Sequence, residues 1–154
     1  MKKATHATTP ENLYHYTSLY HLRQILKDGR IRVTCSNLKE PVNLRVVNGS
    51  LISDTDDYKP VVWLSDKLDF MTAEDNGLKG STVDKTECVL VIPFDATKYQ
   101  RWNTWSKKNH MEAAWKNRLK QVAPGWPTWY VSEEEIPIND NVRIIIRPDL
   151  NLGQ

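Results

Sequence analysis

Apolar residues recur at Leu19, Leu22, Ile25 and Leu26, a spacing that gathers them into one stripe of an α-helix. Ser18 offers an N-cap oxygen and Asp28-Gly29 a left-handed stop, so the pattern predicts a helix from Leu19 to Lys27. The residues before it, Asn12 to Thr17, read as a strand. Alternation along that strand puts His15 and Thr17 on one face and Tyr14 and Tyr16 on the other. With the tyrosines turned to the core, a histidine and a hydroxyl stand together beside a helix N-terminus, a place suited to a polar ligand.

Further along, Arg30 to Cys35 alternates basic and apolar residues and predicts a second strand. Asn37 to Lys59 reads as a long surface excursion that could cover a site, with a hairpin at Leu44 to Ile52 around Asn48-Gly49 and an acidic cluster at Asp54, Asp56 and Asp57. Pro60 to Ser65 predicts a buried strand, Asp66 to Glu74 a short helix, and Glu87 to Phe94 a central strand that is apolar at nearly every position. Met111, Trp115, Leu119 and Val122 mark a helix from about Lys107 to Val122, ended by Pro124-Gly125. Thr128 to Ser132 and Val142 to Ile146 complete the strands. Strands outnumber helices and do not alternate with them regularly, which points to an α+β fold in one domain over residues 1–154.

Composition narrows the function classes. Forty per cent apolar and 26% charged residues, with a formal charge of +2, describe an ordinary globular chain and do not by themselves indicate a nucleic-acid binder. Cys35 and Cys88 have no ligand-type spacing, and two lone thiols fit a reducing cytoplasm. Lys2-Lys3 is followed by no apolar run of the signal-peptide kind, and Val89 to Ile92 is far too short to span a bilayer. The chain also lacks the phosphate-loop, dinucleotide-fold, zincin and hydrolase-elbow motifs. His6, His15, His21 and His110 show no metal spacing, so no metal is expected.

The segment Leu13-Tyr14-His15-Tyr16-Thr17, with the helix and Gly29-Arg30-Ile31 behind it, resembles the first motif of the ADP-ribosyltransferase fold. The closest resemblance is to the branch with a histidine on the first strand, which includes DarT-type nucleic-acid modifiers and NAD-dependent RNA phosphotransferases. Val61 to Ser65 with Thr72-Ala73, and Trp129 to Ser132 leading into Glu133-Glu134-Glu135, are similar to later parts of the same pattern. The resemblance implies a mostly antiparallel, mixed and split β-sheet with flanking helices, and a site that binds NAD as substrate. In such a site His15 holds the nicotinamide-side ribose, an aromatic ring stacks on nicotinamide, and a late glutamate completes the chemistry.

Breaking the bond between nicotinamide and ribose builds positive charge on the sugar, so a fixed carboxylate stabilises the transition state more than the ground state. Strand parity continued past Ser132 favours Glu134, which then shares a face with Tyr130 and Ser132. Glu133 and Glu135 would instead form a Glu-x-Glu pair, and all three also suit a solvated acidic turn before Pro137. Tyr16, Thr17, Trp63 and Ser65 are the remaining candidate contacts to NAD, with Tyr14 and Tyr20 competing for the stacking role. Trp63 equally suits core packing. Ser65 or Asp66 could cap the helix after them and leave backbone donors for a diphosphate.

Arg101, Lys107, Lys108 and Arg118, interleaved with Trp102, Trp105 and Trp115, offer a surface for DNA or RNA, although lysines on an amphipathic helix are routine. The expected activity is transfer of ADP-ribose from NAD to a nucleic acid or protein. The alternatives are a non-catalytic NAD- or nucleic-acid-binding module and an RNA phosphotransferase, for which the chain lacks the fuller basic motif.

Overall fold

The computed structural model describes residues 9–34, 38, 44–53, 59–69 and 85–148. Strand β1 (Asn12–Thr17) leads into helix α1 (Leu19–Asp28), whose ends are closed as the residue types require. The Ser18 hydroxyl accepts the His21 amide, and Gly29, at φ 73°, returns its own amide to the Ile25 carbonyl. Next come the short β2 (Arg30–Ile31) and the hairpin β3 (Leu44–Val47) and β4 (Ser50–Ser53). Asn48 and Gly49 both have positive φ, at 51° and 81°, the conformation of the two-residue turn that matches strand twist.

The remaining elements are β5 (Val62–Ser65), β6 (Cys88–Pro93), β7 (Tyr99–Arg101), α2 (Trp102–Lys108), α3 (Ala113–Val122), β8 (Trp129–Ser132), β9 (Ile136–Pro137) and β10 (Arg143–Ile146). Six strands form one sheet in the order β10-β6-β1-β5-β8-β7, while β2 pairs with β9 and β3 with β4. Every pairing among the described strands is antiparallel. The fold is therefore α+β with an antiparallel sheet. No described helix is long and apolar enough to cross a membrane.

Each sheet face has its own core. On one face Leu13, Leu64, Leu90 and Tyr130 pack with Leu22 and Ile25 of α1. On the other, Val131 joins a tryptophan cluster built on the buried Trp102 and Trp105, with Trp63, Trp115, Trp126 and Trp129 around them. This corrects the expected polarity of β1. Leu13 and Thr17, on the histidine's side, are buried at 0% and 5% exposure, whereas Tyr14 and Tyr16 are half-buried.

Three expected elements differ. The strand predicted over Arg30 to Cys35 is interrupted after Ile31, and bridging resumes only at Thr34, while Cys35 lies outside the described residues. The helix predicted over Asp66 to Glu74 is absent from 66–69, and the rest lies outside the described residues. That segment is instead tied to β1, because the Tyr16 hydroxyl donates to the Lys67 carbonyl at 2.6 Å and accepts the Asp69 amide at 2.7 Å.

The helix predicted over Lys107 to Val122 is two helices. His110, at φ 56°, stops α2, and the amides of His110 and Met111 return to the carbonyls of Lys107 and Ser106 at 3.2 and 2.9 Å. This is the hydrogen-bond pair of a left-handed helix stop, with histidine where glycine is the usual residue.

Candidate functional site

The site begins where the sheet opens. Strand β1 pairs with β6 at six successive positions but with β5 at one, Tyr14 opposite Ser65. Val61 instead exchanges two backbone bonds with Thr34, at 2.7 and 2.8 Å. The ends of β1 and β5 are thus held by different neighbours. A cavity of about 700 Å³ borders this opening, a size within the range of small-molecule sites.

His15 spans the parted strands. Its Nδ1 lies 2.8 Å from the Trp63 carbonyl oxygen, which can only accept. Nδ1 therefore carries the proton, and Nε2 of the neutral ring is an acceptor on a residue that lines the cavity. Burial lowers the His15 pKa from its ordinary value, the carbonyl bond opposes that shift, and the charges of Lys85 and His21 lower it further. The ring is held neutral and oriented.

The cavity lining is mixed. Arg30, Arg32 and Lys85 bring cationic groups to it, and Arg30 is ion-paired to Glu135 at 3.3 Å. Asp28, also on the wall, pairs with Arg32 at 2.9 Å, which holds its carboxyl below the usual range. The lining also includes apolar and aromatic residues: Trp63, Trp129, Leu119 and Val122 of α3, and Ala123 at its C-cap. Trp63 and Trp129 meet edge to face with ring centroids 5.7 Å apart.

All five candidate NAD contacts, His15, Tyr16, Thr17, Trp63 and Ser65, reach this one cavity. Their polar groups are not equally available. Tyr16 spends its hydroxyl on Lys67 and Asp69. Ser65 donates to the Thr128 hydroxyl and accepts the Lys67 amide, each at 3.1 Å, so it organises a turn; no helix starts within the described residues 66–69 that follow it. Thr17 lies buried on the His15 face. Tyr14 also lines the cavity, whereas Tyr20 is 73% exposed and does not.

The glutamates lie elsewhere. None of Glu133, Glu134 and Glu135 is among the described residues that line the cavity. The alternation that favours Glu134 ends with β8 at Ser132, where the chain bends. Glu134 is exposed, and its backbone amide and carbonyl are both bonded to the Ser132 hydroxyl. Glu133 accepts the Trp105 indole N–H at 2.7 Å and an ion pair from Lys59 at 3.4 Å, an anchoring arrangement. Glu135 pairs at 3.3 Å with Arg30, itself a cavity residue. Glu135 is therefore the glutamate bonded to the cavity wall, a link that depends on the β2–β9 pairing and has no periodic signal in the sequence.

The four candidate nucleic-acid contacts are dispersed. Arg101 precedes α2, donates to the Pro127 carbonyl at 3.2 Å and lies 5.0 Å from the centre of the Tyr130 ring. Lys107 and Lys108 occupy the opposite end of α2, and Arg118 is exposed on α3. Among the described residues, no group of three or more histidine, cysteine, aspartate or glutamate side chains could hold a metal ion.

Comparison of the chain with protein-family models, with curated proteins and with solved structures finds no match.

Proposed function

We propose that the His15 cavity binds NAD and that the chain transfers ADP-ribose from it to a macromolecule. The observation that carries this reading is the fixed neutral imidazole, with Nδ1 bonded to Trp63 and Nε2 left as an acceptor for a ribose hydroxyl. Lys85, Arg30 and Arg32 on the lining offer donors to a diphosphate, although both arginines are already ion-paired, and Trp63 and Trp129 suit a base. The chain's own residues thus fit the three chemical parts of a dinucleotide.

In the transfer step the bond between nicotinamide and ribose C1′ breaks and its electron pair leaves with nicotinamide. An acceptor oxygen or nitrogen then bonds to C1′ and loses its proton to a base. The carboxylate that stabilises the developing sugar cation is drawn from the 133–135 turn. Glu135, ion-paired to the lining residue Arg30, is the member bonded to the site and must leave that pair to face the sugar.

A second reading is supported by one specific observation. With no glutamate among the described cavity residues, the same site suits an NAD-binding module without turnover. Labelled NAD offered with DNA, RNA and protein acceptors separates the two, using wild type, His15→Ala, Glu134→Gln and Glu135→Gln. Transfer lost in His15→Ala and in one glutamate variant supports the transferase. Binding of NAD with no transfer in wild type supports the module.

A further inference from the structure

A second histidine lines the cavity, and a different partner places its proton. His21 lies in the first turn of α1, where the Ser18 hydroxyl oxygen accepts its amide at 3.1 Å and lies 2.8 Å from its ring Nδ1. Ser18 is 1% exposed, so its hydroxyl hydrogen needs an acceptor within the protein. Among the described residues that acceptor is His21 Nδ1. Nδ1 of the neutral ring is therefore bare, and the proton sits on Nε2.

His15 is the opposite tautomer. It carries its proton on Nδ1, against the Trp63 carbonyl, and leaves Nε2 as an acceptor. The cavity thus has one imidazole that accepts and one that donates, on either side of the β1–α1 junction. The two are near enough that charge on His21 counts against charge on His15.

The group suited to His21 is neutral. Glu87 accepts the Leu19 amide at 3.0 Å, so a carboxylate already occupies the turn that holds His21 and repels a second anion. A hydroxyl oxygen accepts from Nε2–H without that penalty. His15 Nε2, in turn, requires a donor. Two adjacent hydroxyls, one giving and one receiving, satisfy both rings.

We infer that His15 and His21 together read the vicinal diol of a ribose, one hydroxyl donating to His15 Nε2 and its neighbour accepting from His21 Nε2–H. The inference rests on the NAD reading and adds to it a second sugar contact. Both hydroxyls of the nicotinamide-side ribose then contribute to recognition.

Nitrogen-15 NMR of the imidazoles in wild type at pH 8, without ligand, reads the two tautomers. Nδ1–H at His15 and Nε2–H at His21 are expected. Nδ1–H at His21 overturns the inference whether or not NAD binds.

Calorimetry then titrates NAD and two analogues, lacking the 2′- or the 3′-hydroxyl of the nicotinamide-side ribose, into wild type, His15→Asn and His21→Asn. Asparagine at position 21 keeps an oxygen for the Ser18 hydroxyl and removes the outer N–H, and melting curves on the same samples check the fold. His21→Asn is expected to weaken NAD about fivefold, the ordinary worth of one neutral hydrogen bond, and to bind one analogue as wild type does. His15→Asn is expected to lose its effect with the other analogue. NAD affinity unchanged in His21→Asn overturns the second contact and leaves the role of His15 standing. Equal weakening of NAD and both analogues by His21→Asn overturns the diol as the group that is read. If wild type binds no NAD, the NAD reading falls and the inference falls with it.

Discussion

The His15 imidazole donates from Nδ1 to the Trp63 carbonyl at 2.8 Å, across the part of the sheet where β1 and β5 no longer pair as a ladder. One side chain thus satisfies a backbone acceptor, fixes its own tautomer and presents Nε2 as an acceptor. His15→Ala removes all three effects and is expected to destabilise the fold by about 0.5–1.5 kcal/mol, the usual net contribution of one hydrogen bond. His15→Asn places an amide N–H near the Nδ1 position and removes Nε2. Its denaturant midpoint is expected to stay close to wild type, and a midpoint as low as that of His15→Ala would show that the carbonyl bond does not support the opening.

The same residue sets an acid dependence. Its folded-state pKa is lowered from 6.5, so the unfolded chain binds this proton more tightly than the folded one. Its stabilising contribution is complete above pH 6.5 and is lost as pH falls from there through the lower folded value. Urea denaturation at pH 7.5 and pH 5 is expected to show a smaller loss of stability on acidification in His15→Asn than in wild type. Equal losses would mean that the imidazole is not held neutral.

Glu133 and Glu134 are adjacent but differ in surroundings. Glu133→Ala leaves the Trp105 indole N–H without its carboxylate, at an expected cost of about 1–3 kcal/mol. Glu133→Gln retains an acceptor and is expected to recover most of that loss. Glu134→Ala, at an exposed side chain, is expected to change stability by less than about 0.5 kcal/mol. Thermal melting of the three variants checks this ordering, and an equal loss in Glu133→Ala and Glu134→Ala would contradict it.

The stop between α2 and α3 makes a backbone prediction. His110 holds φ at 56°, where glycine avoids the Cβ clash that other residues incur. His110→Gly is expected to be neutral or stabilising by up to about 1 kcal/mol, and the β-branched His110→Val destabilising. A stable His110→Val protein, measured by urea denaturation, would show that this turn is not fixed by its backbone conformation.

The legible parts of the fold are those whose signal is local. Ser18, the apolar stripe and Gly29 mark α1; Asn48-Gly49 marks the hairpin; the unbroken apolar run marks β6. The stop at His110 escaped because Met111 and Trp115 keep helical spacing across it while the chain takes the left-handed turn usually given to glycine. Strands β7 and β9, of three and two residues, are too short for alternation to register.

In the site, local pattern brought His15, Thr17 and Trp63 to attention, and the structure gathers them around one cavity. Parity could not place the glutamates, because β8 ends at Ser132 and the chain bends before β9 joins Arg30 and Ile31. Arg30, Arg32 and Lys85 lie far apart in sequence from much of the wall they share, so no spacing could mark them.

The central claim is that His15 binds NAD through Nε2 while Nδ1 holds the Trp63 carbonyl. Calorimetric titration of NAD into wild type and His15→Asn, with melting curves on the same samples, tests it most directly. Saturable binding to wild type, at least tenfold weaker in a variant of near-normal stability, is the predicted result. Equal affinity in the two proteins, or no NAD binding to wild type, would contradict the account.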